Sequence, residues 1–528
     1  MTAQNGDLIP ALNNKALHSL MDPIREAQRL VESDEGFLVF LGLGAAYSAK
    51  EALKKDTINA VLVIDYDLQS IKELFNKLDY SDLFSDSRFF LLIDPNEDEI
   101  ENFLLSTYKP VLHGGLRLIP LRSRTAASID SALFNRASEV TKQSLDKISA
   151  DYSVQAHFGK RWFSNTIKNL LHVGNSPIDG LFKLPLPPSL KEKNYRAAVI
   201  AAGPSLSFQI EILKQKKDTL YIIASDTSLP ALLTDGIKAD AVISIDCQHI
   251  SYYHFMQGLP RESFLFLDLA SPPSFAAFSK NTCFFSGSHP LSLYINKNFQ
   301  SFPLLDISGG NVTYAALSLA EMLGARQIEL YGADFSYPKG LSYARGTYIH
   351  PYFENKQNRF KTLEAQNSAF LYRVPMSKIT KNESWYYESS TLRSYRERLE
   401  EKSASMEAEL IPIEGIGAPI GTQTAPSARA SASFAPAASK LSPASYPAKS
   451  AVAFLSDYHD KIKNLNMTGN NINSFITSLD YDAKEVFLSL LPSAAAIKKQ
   501  FPKDNFASTL EKTKAQCCNI ISRLISEN

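Results

Sequence analysis

Residues 197–207 read AAVIAAGPSLS. The small and apolar residues at its start predict a buried strand, and Gly203-Pro204-Ser205 predicts a tight turn into a helix. Pro204 presets φ for the first helical turn. The turn also has a chemical interpretation, because backbone amides and a hydroxyl at a helix start favour a bound phosphate. The stretch is thus either a strand-to-helix corner or a phosphate site.

Alternating strand and helix patterns continue along the chain around this stretch. Apolar strand candidates recur over residues 195–335, and they read AAVIAA, LYIIAS, AVISID, SFLFLDL, TCFFSG, PLLDIS and QIELYG. Between the last two, NVTYAALSLAEML has helical spacing, with Ser308 or Asn311 as its cap. Nearly continuous apolar strands are typical of a parallel sheet that helices cover on both faces. We therefore expect a central doubly wound, Rossmann-like α/β sheet.

Smaller regions flank the central sheet. Residues 36–120 repeat the strand and helix patterns. There Gly42–Gly44 reads GLG and Asp65 follows the next strand, a spacing that suits ribose recognition, but the third glycine of the dinucleotide motif is absent. We favour a degenerate scaffold. The predicted division is a Rossmann-like domain 1–130, a helical connector 131–190, a catalytic nucleotide-binding domain 191–400, an Ala/Ser/Pro-rich linker 401–450, whose flexible part is 415–450, and a helical domain 451–528.

Composition limits the classes of function. The 528 residues include 55 basic and 55 acidic side chains, and this zero net charge argues against a general nucleic-acid binder. Four cysteines lack metal-ligand spacing, which fits a reducing compartment. The N-terminal residues do not read as a signal peptide, and no apolar run reaches the ~20 residues that span a bilayer. We expect a cytoplasmic protein with no nucleic-acid or membrane partner.

Polar or glycine residues follow nearly every predicted strand of the central sheet. Ligands of open α/β sheets bind at the carboxyl ends of the strands, so these residues are expected to converge. Each one alone is weak evidence, since turns favour the same residue types. Two predicted helix starts, GPS and SGGN, suit a nucleotide whose base and phosphate are held separately. The candidates at this edge are Gly203, Pro204, Ser205, Asp226, Asp246, Asp268, Ser286–His289, Ser308, Gly309, Gly310, Asn311 and Asp334.

Further candidates lie in an aromatic loop after Asp334, which reads FSYPKGLSYARGTYIHPYFENK. The phenols of Tyr343 and Tyr348 or the guanidinium of Arg345 would stabilise a departing phosphate, and His350 would accept a proton. A structural loop histidine is the alternative for His350. Asp226 and Asp246 have three interpretations: they hold ribose hydroxyls, bind Mg²⁺ together beside a phosphate, or cap helices.

The segments AAGPSLS, SIDCQH and SGGNVTYAALSLAEMLGARQIELYGADFSY resemble the flagellar motility accessory factor (Maf) family. The central domain of that family is similar to 6-hydroxymethylpterin pyrophosphokinase-like proteins, and LYGADFSY also looks like bacterial sialyltransferases that use CMP-sugars. The resemblance covers about residues 195–355. It implies a glycosyltransferase that moves a nonulosonic acid, of pseudaminic or legionaminic type, from its CMP form onto Ser or Thr of flagellin and requires no cofactor.

The resemblance also implies roles for individual residues. Asp226 and Asp246 stand where sialyltransferases tend to carry asparagines, which favours the alternative of an ATP- and Mg²⁺-dependent pterin pyrophosphokinase with both as metal ligands. A third hypothesis is a non-catalytic flagellin-binding chaperone. In the transferase, His350 would be the base, and Tyr343, Tyr348 or Arg345 would stabilise the phosphate. The nucleotide contacts would be Gly203, Pro204, Ser205, Ser308, Gly309, Gly310 and Asn311, with Asp334 beside them.

Overall fold

The computed structural model describes residues 1–12, 14–125, 130–174, 195–381, 384–421, 450–466 and 472–527. Contacts between residues divide the chain into two units. The first contains Met1–Lys160 and Tyr458–Asn519, and the second contains Arg161–Asp457 and Ile520–Asn528. No helix within the described ranges is long and apolar enough to cross a membrane. The five-part division of the chain stays a prediction.

The N-terminal part of the chain alternates strands and helices. Its elements are β1 Ala11–Leu12, β2 Lys15–Ala16, α1 Pro23–Val31, β3 Gly36–Leu41, α2 Tyr47–Leu53, β4 Ile58–Asp65, α3 Leu68–Lys77, α4 Ser81–Ser85, β5 Phe89–Ile93, α5 Glu97–Thr107, α6 Pro110–His113, β6 Leu116–Pro120, α7 Arg122–Thr125 and α8 Ser131–Gly174. Strands β5-β4-β3-β6 form a parallel sheet in that order. Strand β3 reads GFLVFL and is buried along its whole length, as a strand covered on both faces must be.

The second unit holds the larger sheet. Its elements are β7 Arg196–Ile200, α9 Leu206–Lys216, β8 Tyr221–Ser225, α10 Leu229–Thr234, β9 Ala241–Ser244, β10 Phe264–Asp268, β11 Thr282–Phe285, α11 Pro290–Asn298, α12 Val312–Met322, β12 Gln327–Tyr331, β13 Tyr337–Pro338, α13 Ile349–Glu354, α14 Leu363–Leu371, β14 Ser377–Lys381, β15 Ser384–Glu388, α15 Ser390–Ser405 and β16 Glu409–Pro412. Seven parallel strands lie in the order β11-β10-β9-β8-β7-β12-β16. The expected doubly wound α/β fold is confirmed.

Helix α12 is the element that most directly fixes the carboxyl edge of this sheet. It packs across β7, β8 and β9, and Thr313–Ala320 are buried. Asn311 caps the helix through a hydrogen bond of 3.0 Å from the Tyr314 amide to its side-chain oxygen. Helix α12 leads the chain back to the amino edge of the sheet, where β12 begins. The N-terminus of α12 therefore lies at the opposite, carboxyl edge.

One predicted strand is absent from the sheet. PLLDIS, residues 303–308, forms a single bridge between Leu304 and Ser286 instead of a strand. Leu304 is 60% exposed, and Asp306 is exposed and accepts hydrogen bonds from the amide and hydroxyl of Ser308. The hydrogen bonds from Ser308 to the Asp306 side chain turn the backbone toward α12. They compete with the backbone hydrogen bonds that a strand would need at this position.

The linker predicted over residues 401–450 begins later than expected. Helix α15 ends at Ser405, and β16 pairs in parallel with β12 at the edge of the sheet. Residues 413–421 then continue against the sheet edge, and residues 422–449 lie outside the described residues. The composition at 415–421 resembles a linker, but the contacts of its amides hold it in place, as described below.

The remaining elements are helical, as the sequence predicts for residues 451–528. They are α16 Ala451–Lys463, α17 Ile472–Ser478, α18 Tyr481–Ser489, α19 Leu491–Gln500 and α20 Phe506–Ser526. Most of this segment belongs to the first unit. Within that unit, the side chain of Asn473 donates a hydrogen bond to the Asn59 carbonyl at 2.6 Å. A Cβ on Gly159 would lie 1.8 Å from the Pro492 carbonyl oxygen, so α8 and α19 approach closely.

Candidate active site

The strand order reverses between β7 and β12, and open α/β sheets bind ligands at such a point. Here it is occupied by the protein itself. The carboxylate of Asp334, which follows β12, accepts hydrogen bonds from the amide of Ser205 at 2.8 Å and from its hydroxyl. The other amides of the turn are also used, since Gly203 donates to the Gly332 carbonyl at 2.8 Å and Leu206 donates to the Gly203 carbonyl at 3.0 Å. The GPS turn therefore holds a carboxylate of its own chain.

The segment after β16 covers this corner. The amide of Ile416 donates to the Ser205 hydroxyl at 2.8 Å. A Cβ on Gly417 would lie 2.3 Å from a carboxylate oxygen of Asp334, so the backbone lies directly on that side chain. Burial raises the pKa of Asp334, and the bonds from Ser205 and Gly417 offset part of that effect. Gly203, Pro204, Ser205 and Asp334 stay predicted nucleotide contacts, but in this structure the amides of Gly203 and Ser205 and the carboxylate of Asp334 form hydrogen bonds within the chain.

The GLG turn of the first unit is closed in the same manner. Asp65 is buried and accepts a hydrogen bond of 2.6 Å from the amide of Leu43. It also pairs with Arg124 at 2.9 Å, and both side chains are buried. The Ala45 amide donates to Nε2 of His18 at 3.0 Å. The carboxylate that the spacing suggested for a ribose is thus already paired, which agrees with a degenerate scaffold.

The SGGN corner, residues 308–311, differs from the GPS turn because several of its backbone amides are unpaired among the described residues. Within the described part of the chain, the amides of Gly309, Asn311, Val312 and Thr313 have no hydrogen-bond acceptor. Gly310 has a positive φ of 73°, which shapes the turn, and it is exposed. These amides begin an 11-residue helix, where its dipole favours an anion. Of the two corners that the sequence proposed for phosphate, this one is open.

Side chains of α15 and α12 hold the SGGN corner in place. Arg398 donates from Nη1 to the Ser308 carbonyl at 3.2 Å. The Tyr314 hydroxyl donates to Asp306 at 2.8 Å, and Lys402 lies 3.4 Å from the same carboxylate. A Cβ on Gly309 would lie 2.1 Å from the Tyr314 ring, so only glycine allows this packing. The corner is therefore rigidly supported, with the Arg398 guanidinium beside it and Lys402 paired with Asp306 and Glu321.

Asp226, after β8, is buried at the same edge. Its Oδ1 accepts from the amide of Thr227 at 2.7 Å, and its Oδ2 accepts from the Ser244 hydroxyl at 2.6 Å. Nδ1 of His254 lies 3.3 Å from Oδ2. Burial acts to raise the pKa of Asp226, but His254 and the hydrogen bonds outweigh it, so the pKa lies below its usual range. Asp226 is a fixed anion beside an imidazole.

Asp246, after β9, is half-buried next to this pair. It accepts hydrogen bonds from the amide of Gln248 at 2.8 Å and from the hydroxyl of Ser251 at 3.0 Å. Burial raises its pKa, those two bonds offset part of the effect, and the charge of Asp226 adds to it. The two aspartates that the sequence placed on neighbouring strands are thus electrostatic neighbours in the structure.

Two of the predicted tyrosines complete the cluster. The Tyr348 ring lies 4.6 Å from the His254 ring, and the Tyr343 ring lies 6.2 Å from that of Tyr348, between ring centres. Burial raises the pKa of both phenols, and the nearby Asp226 contributes to this. Both therefore remain protonated hydrogen-bond donors at neutral pH. We call Asp226, Asp246, His254, Tyr343 and Tyr348 the edge cluster.

The other candidates of the loop lie elsewhere. His350 begins the first turn of α13, and its buried Nε2 has no hydrogen-bond partner in the described residues. No ion pair or ring contact within the described ranges joins it to Asp226. Arg345 is exposed, and its amide donates to the Ser207 hydroxyl of α9 at 3.0 Å. Within the described residues, ring contacts join Tyr343 and Tyr348 to His254 beside Asp226, whereas no such contact involves His350 or Arg345.

The end of β10 is closed as well. Asp268 is buried and accepts from the amides of Ala270 at 2.7 Å and Gly287 at 3.1 Å. Asn165 and Asn169 of α8 donate to backbone carbonyls just beyond β9 and β10, including that of Ala270 at 2.9 Å. Asp268 is therefore structural. The described residues also contain no group of three or more His, Cys, Asp or Glu side chains that could hold a metal ion.

Sequence reasoning missed two residues at this edge, His254 and Arg373. His254 lies in a 3₁₀ helix, His249–Phe255, which has no apolar period to reveal it. Arg373 follows α14, and its guanidinium carbon lies 3.9 Å from the centre of the Phe370 ring. One signal for His254 was available in the sequence, its short separation from Asp246. Eight residues are enough for the chain to turn back and place the histidine over the same edge of the sheet.

Comparisons with known proteins agree with this architecture. Residues 164–340 match the family model described as 6-hydroxymethylpterin diphosphokinase MptE-like. An uncharacterized protein of Treponema pallidum (strain Nichols) is 31% identical over 178 residues, which are 34% of this chain and 80% of the relative. A second uncharacterized protein of the same organism is 34% identical over 152 residues, which are 28% of this chain and 54% of the relative.

One solved structure is similar along the whole chain. It is the Maf glycosyltransferase from Magnetospirillum magneticum AMB-1, with a TM-score of 0.59 and 15% sequence identity. The match covers 100% of this chain and 91% of that protein. At this identity the similarity concerns the fold, including the order of its α/β and helical parts.

Proposed function

We propose that this chain is a glycosyltransferase. It belongs to the same family as its 31% identical, uncharacterized Treponema pallidum relative, its residues 164–340 match the MptE-like family model, and it has the fold of a Maf glycosyltransferase over its whole length. Its donor is a CMP-activated nonulosonic acid, and its acceptor is a Ser or Thr hydroxyl of flagellin. The observation that carries the proposal is the pairing of an open, cation-flanked helix N-terminus with the edge cluster at one carboxyl edge. Donor and acceptor follow from the sequence resemblance.

The donor phosphate binds at the SGGN corner in this proposal. The unpaired amides of Asn311, Val312 and Thr313 supply donors, and Arg398 adds positive charge nearby. The GPS turn does not take this part, because Asp334 uses its amides. A fixed set of backbone donors suits a leaving group whose charge grows during the reaction, since no reorganisation is needed.

The reaction is a direct displacement at the anomeric carbon. The acceptor oxygen forms a bond to that carbon, the bond from the carbon to the phosphate oxygen breaks, and CMP leaves with the electron pair. His254 receives the acceptor proton on Nε2, because Nδ1 lies beside Asp226. The ionised Asp226 then stabilises the imidazolium, as a buried carboxylate does in hydrolase triads. Tyr348 donates a hydrogen bond to the departing phosphate.

Two histidine variants test the position of the base. His254→Gln is expected to lower kcat by about 10²–10⁴-fold, the usual contribution of general base catalysis, with little change in donor affinity. His350→Gln is the matched control, and it is expected to keep most of the activity. The assay follows CMP release and the mass of purified flagellin incubated with a CMP-nonulosonic acid. The reverse pattern would assign the base to His350, as the sequence predicted.

A second candidate, an ATP-dependent pterin pyrophosphokinase, is favoured by the description of the matching family model. In that enzyme Asp226 and Asp246 would hold Mg²⁺. Against it, both oxygens of Asp226 already accept hydrogen bonds from Thr227 and Ser244. Thermal unfolding with CMP, CTP, ATP and 6-hydroxymethylpterin, each with Mg²⁺ or EDTA, separates the two. A ligand at a hundred times its Kd adds about 2.7 kcal/mol of stability, and a stabilisation by ATP that requires Mg²⁺ would favour the kinase.

A further inference from the structure

Arg373, which follows α14, is an exposed cation. No carboxylate within the described ranges forms an ion pair with it. Its guanidinium carbon lies 3.9 Å from the centre of the Phe370 ring, a cation–π contact that fixes the plane of the group. The guanidinium also forms a hydrogen bond with the side chain of Tyr337. Since a guanidinium has five N–H donors, others stay available for a further partner.

The position of Arg373 relative to the cluster follows from a chain of ring contacts. The Phe370 ring lies 6.1 Å from that of Tyr343, which lies 6.2 Å from Tyr348, which in turn lies 4.6 Å from His254. The positive charge of Arg373 acts to lower the pKa values of Tyr337, Tyr343 and Tyr348, against the effect of burial, which raises all three. Arg373 is thus linked to Tyr343 through the Phe370 ring and to Tyr337 through a hydrogen bond.

Asp226 lies at the opposite end of this series of contacts, with its Oδ2 3.3 Å from Nδ1 of His254. Asp226 raises the pKa values of Tyr343 and Tyr348, and Asp246 also raises that of Tyr348. A ligand that contacts this group of side chains meets phenol donors, the guanidinium of Arg373 and the imidazole of His254. The unpaired charge calls for an anion, and the planar guanidinium fork matches the two oxygens of a carboxylate.

We propose that Arg373, with the hydroxyls of Tyr337 and Tyr343, forms a subsite for the carboxylate group of the donor sugar. The inference rests on the proposed function and deepens it, because it makes an acidic sugar the preferred substrate over a neutral one. The donor carries a second anionic group, its phosphate, which a guanidinium also binds. The open amides of the SGGN corner already suit that phosphate, so the carboxylate is left for Arg373.

The test is a calorimetric titration of the full-length protein with CMP and with CMP-N-acetylneuraminic acid, a donor whose sugar carries the carboxylate. Arg373→Gln is expected to weaken binding of the sugar nucleotide by at least about tenfold, as for a lost hydrogen bond between charged groups, and to leave CMP binding within about twofold. Arg373→Lys is expected to lie between wild type and Arg373→Gln. Arg359→Gln is the control, an exposed arginine whose guanidinium lies 6.0 Å from the Phe360 ring.

Each other outcome contradicts a defined part of the proposal. An equal loss for CMP and CMP-N-acetylneuraminic acid would move Arg373 to the phosphate, and no loss for either would remove it from the site. If the wild type binds neither nucleotide, the proposed function fails. Free N-acetylneuraminic acid and its methyl ester then test the subsite alone by ligand-observed NMR. Binding of the acid, but not the ester, that disappears in Arg373→Gln would support the subsite, and unchanged binding would overturn it. The thermal midpoint, expected to stay constant because Arg373 is exposed, shows that the variants fold.

Discussion

At the scale of single residues, side chains that accept hydrogen bonds decide which turns keep unpaired backbone amides. Asp334 takes the amide of Ser205, Asp65 takes the amide of Leu43, and His18 takes the amide of Ala45. Each acceptor comes from a distant part of the chain. A turn motif predicts the geometry of its amides, but their availability depends on which acceptor the fold brings to them.

Two buried histidines of the first unit make its stability depend on pH. Nε2 of His18 accepts the amide of Ala45, and Nδ1 of His113 accepts the amide of Lys109, both at 3.0 Å. Burial lowers the pKa of each histidine to about 4. The unfolded chain, with a histidine pKa of about 6.5, therefore binds more protons than the folded chain between about pH 6.5 and 4, and stability falls as pH falls through that window.

The expected loss at pH 4 relative to pH 7 is about 3 kcal/mol for each histidine. Urea unfolding at a series of pH values measures it. His18→Gln is expected to reduce the slope between pH 6.5 and 4, since glutamine also offers an acceptor but does not titrate. His157→Gln, at an exposed position, should leave the slope unchanged. A slope that is the same in wild type and His18→Gln would contradict a buried neutral imidazole.

At the scale of elements, the strap of residues 413–421 closes the reversal point of the central sheet. A Cβ on Gly417 would lie 2.3 Å from an oxygen and 2.7 Å from the backbone Cα of Asp334. Gly417→Ala is therefore expected to destabilise the second unit by about 1–3 kcal/mol, the usual effect of overpacking. Gly421→Ala, whose Cβ would lie 3.5 Å from Glu400, is the control. Equal urea midpoints for the two variants would show that the strap is loosely held.

The elements also show what the sequence could predict. Every predicted strand of the central sheet except PLLDIS formed, because each buried apolar run pairs on at least one side with a parallel neighbour. β16 was missed because ELIP at 409–412 is short, half-exposed and followed by linker-like composition. Its partner β12 is more than 70 residues earlier in the chain, so no local pattern indicates the pairing.

The candidate site was predictable to a smaller extent. The residues that follow the strands lie at one edge of the sheet, because parallel strands deliver their carboxyl ends to one side, and their role as one site stays a prediction. The motif spacing could not distinguish the closed GPS corner from the open SGGN corner, since Asp334 and the strap come from other elements. Likewise, His254 and Arg373 reach the cluster through irregular segments. The resemblance to Maf proteins is confirmed in the fold, and the MptE-like central domain is confirmed by the family model.

At the scale of the whole molecule, the chain leaves the first unit at residue 160 and returns to it at residue 458. The returning helices complete its packing. Asn473 bonds to the Asn59 carbonyl, and the backbone at Pro492 lies against Gly159. A segment with a separate position in the sequence is therefore part of the same folded unit as the N-terminal sheet.

This connectivity predicts that cutting the chain between residues 422 and 449 leaves the C-terminal fragment bound. A protease recognition sequence placed at 430–440 allows the cut, and size-exclusion chromatography then shows whether both fragments elute together without denaturant. Gly159→Leu should release the fragment, because even a Cβ there would lie 1.8 Å from the Pro492 carbonyl oxygen. Gly115→Leu, where a Cβ would meet nothing within 4 Å, should not. Separate elution of the fragments from the otherwise unchanged protein would mean that the C-terminal helices fold as a domain of their own, as the sequence alone predicted.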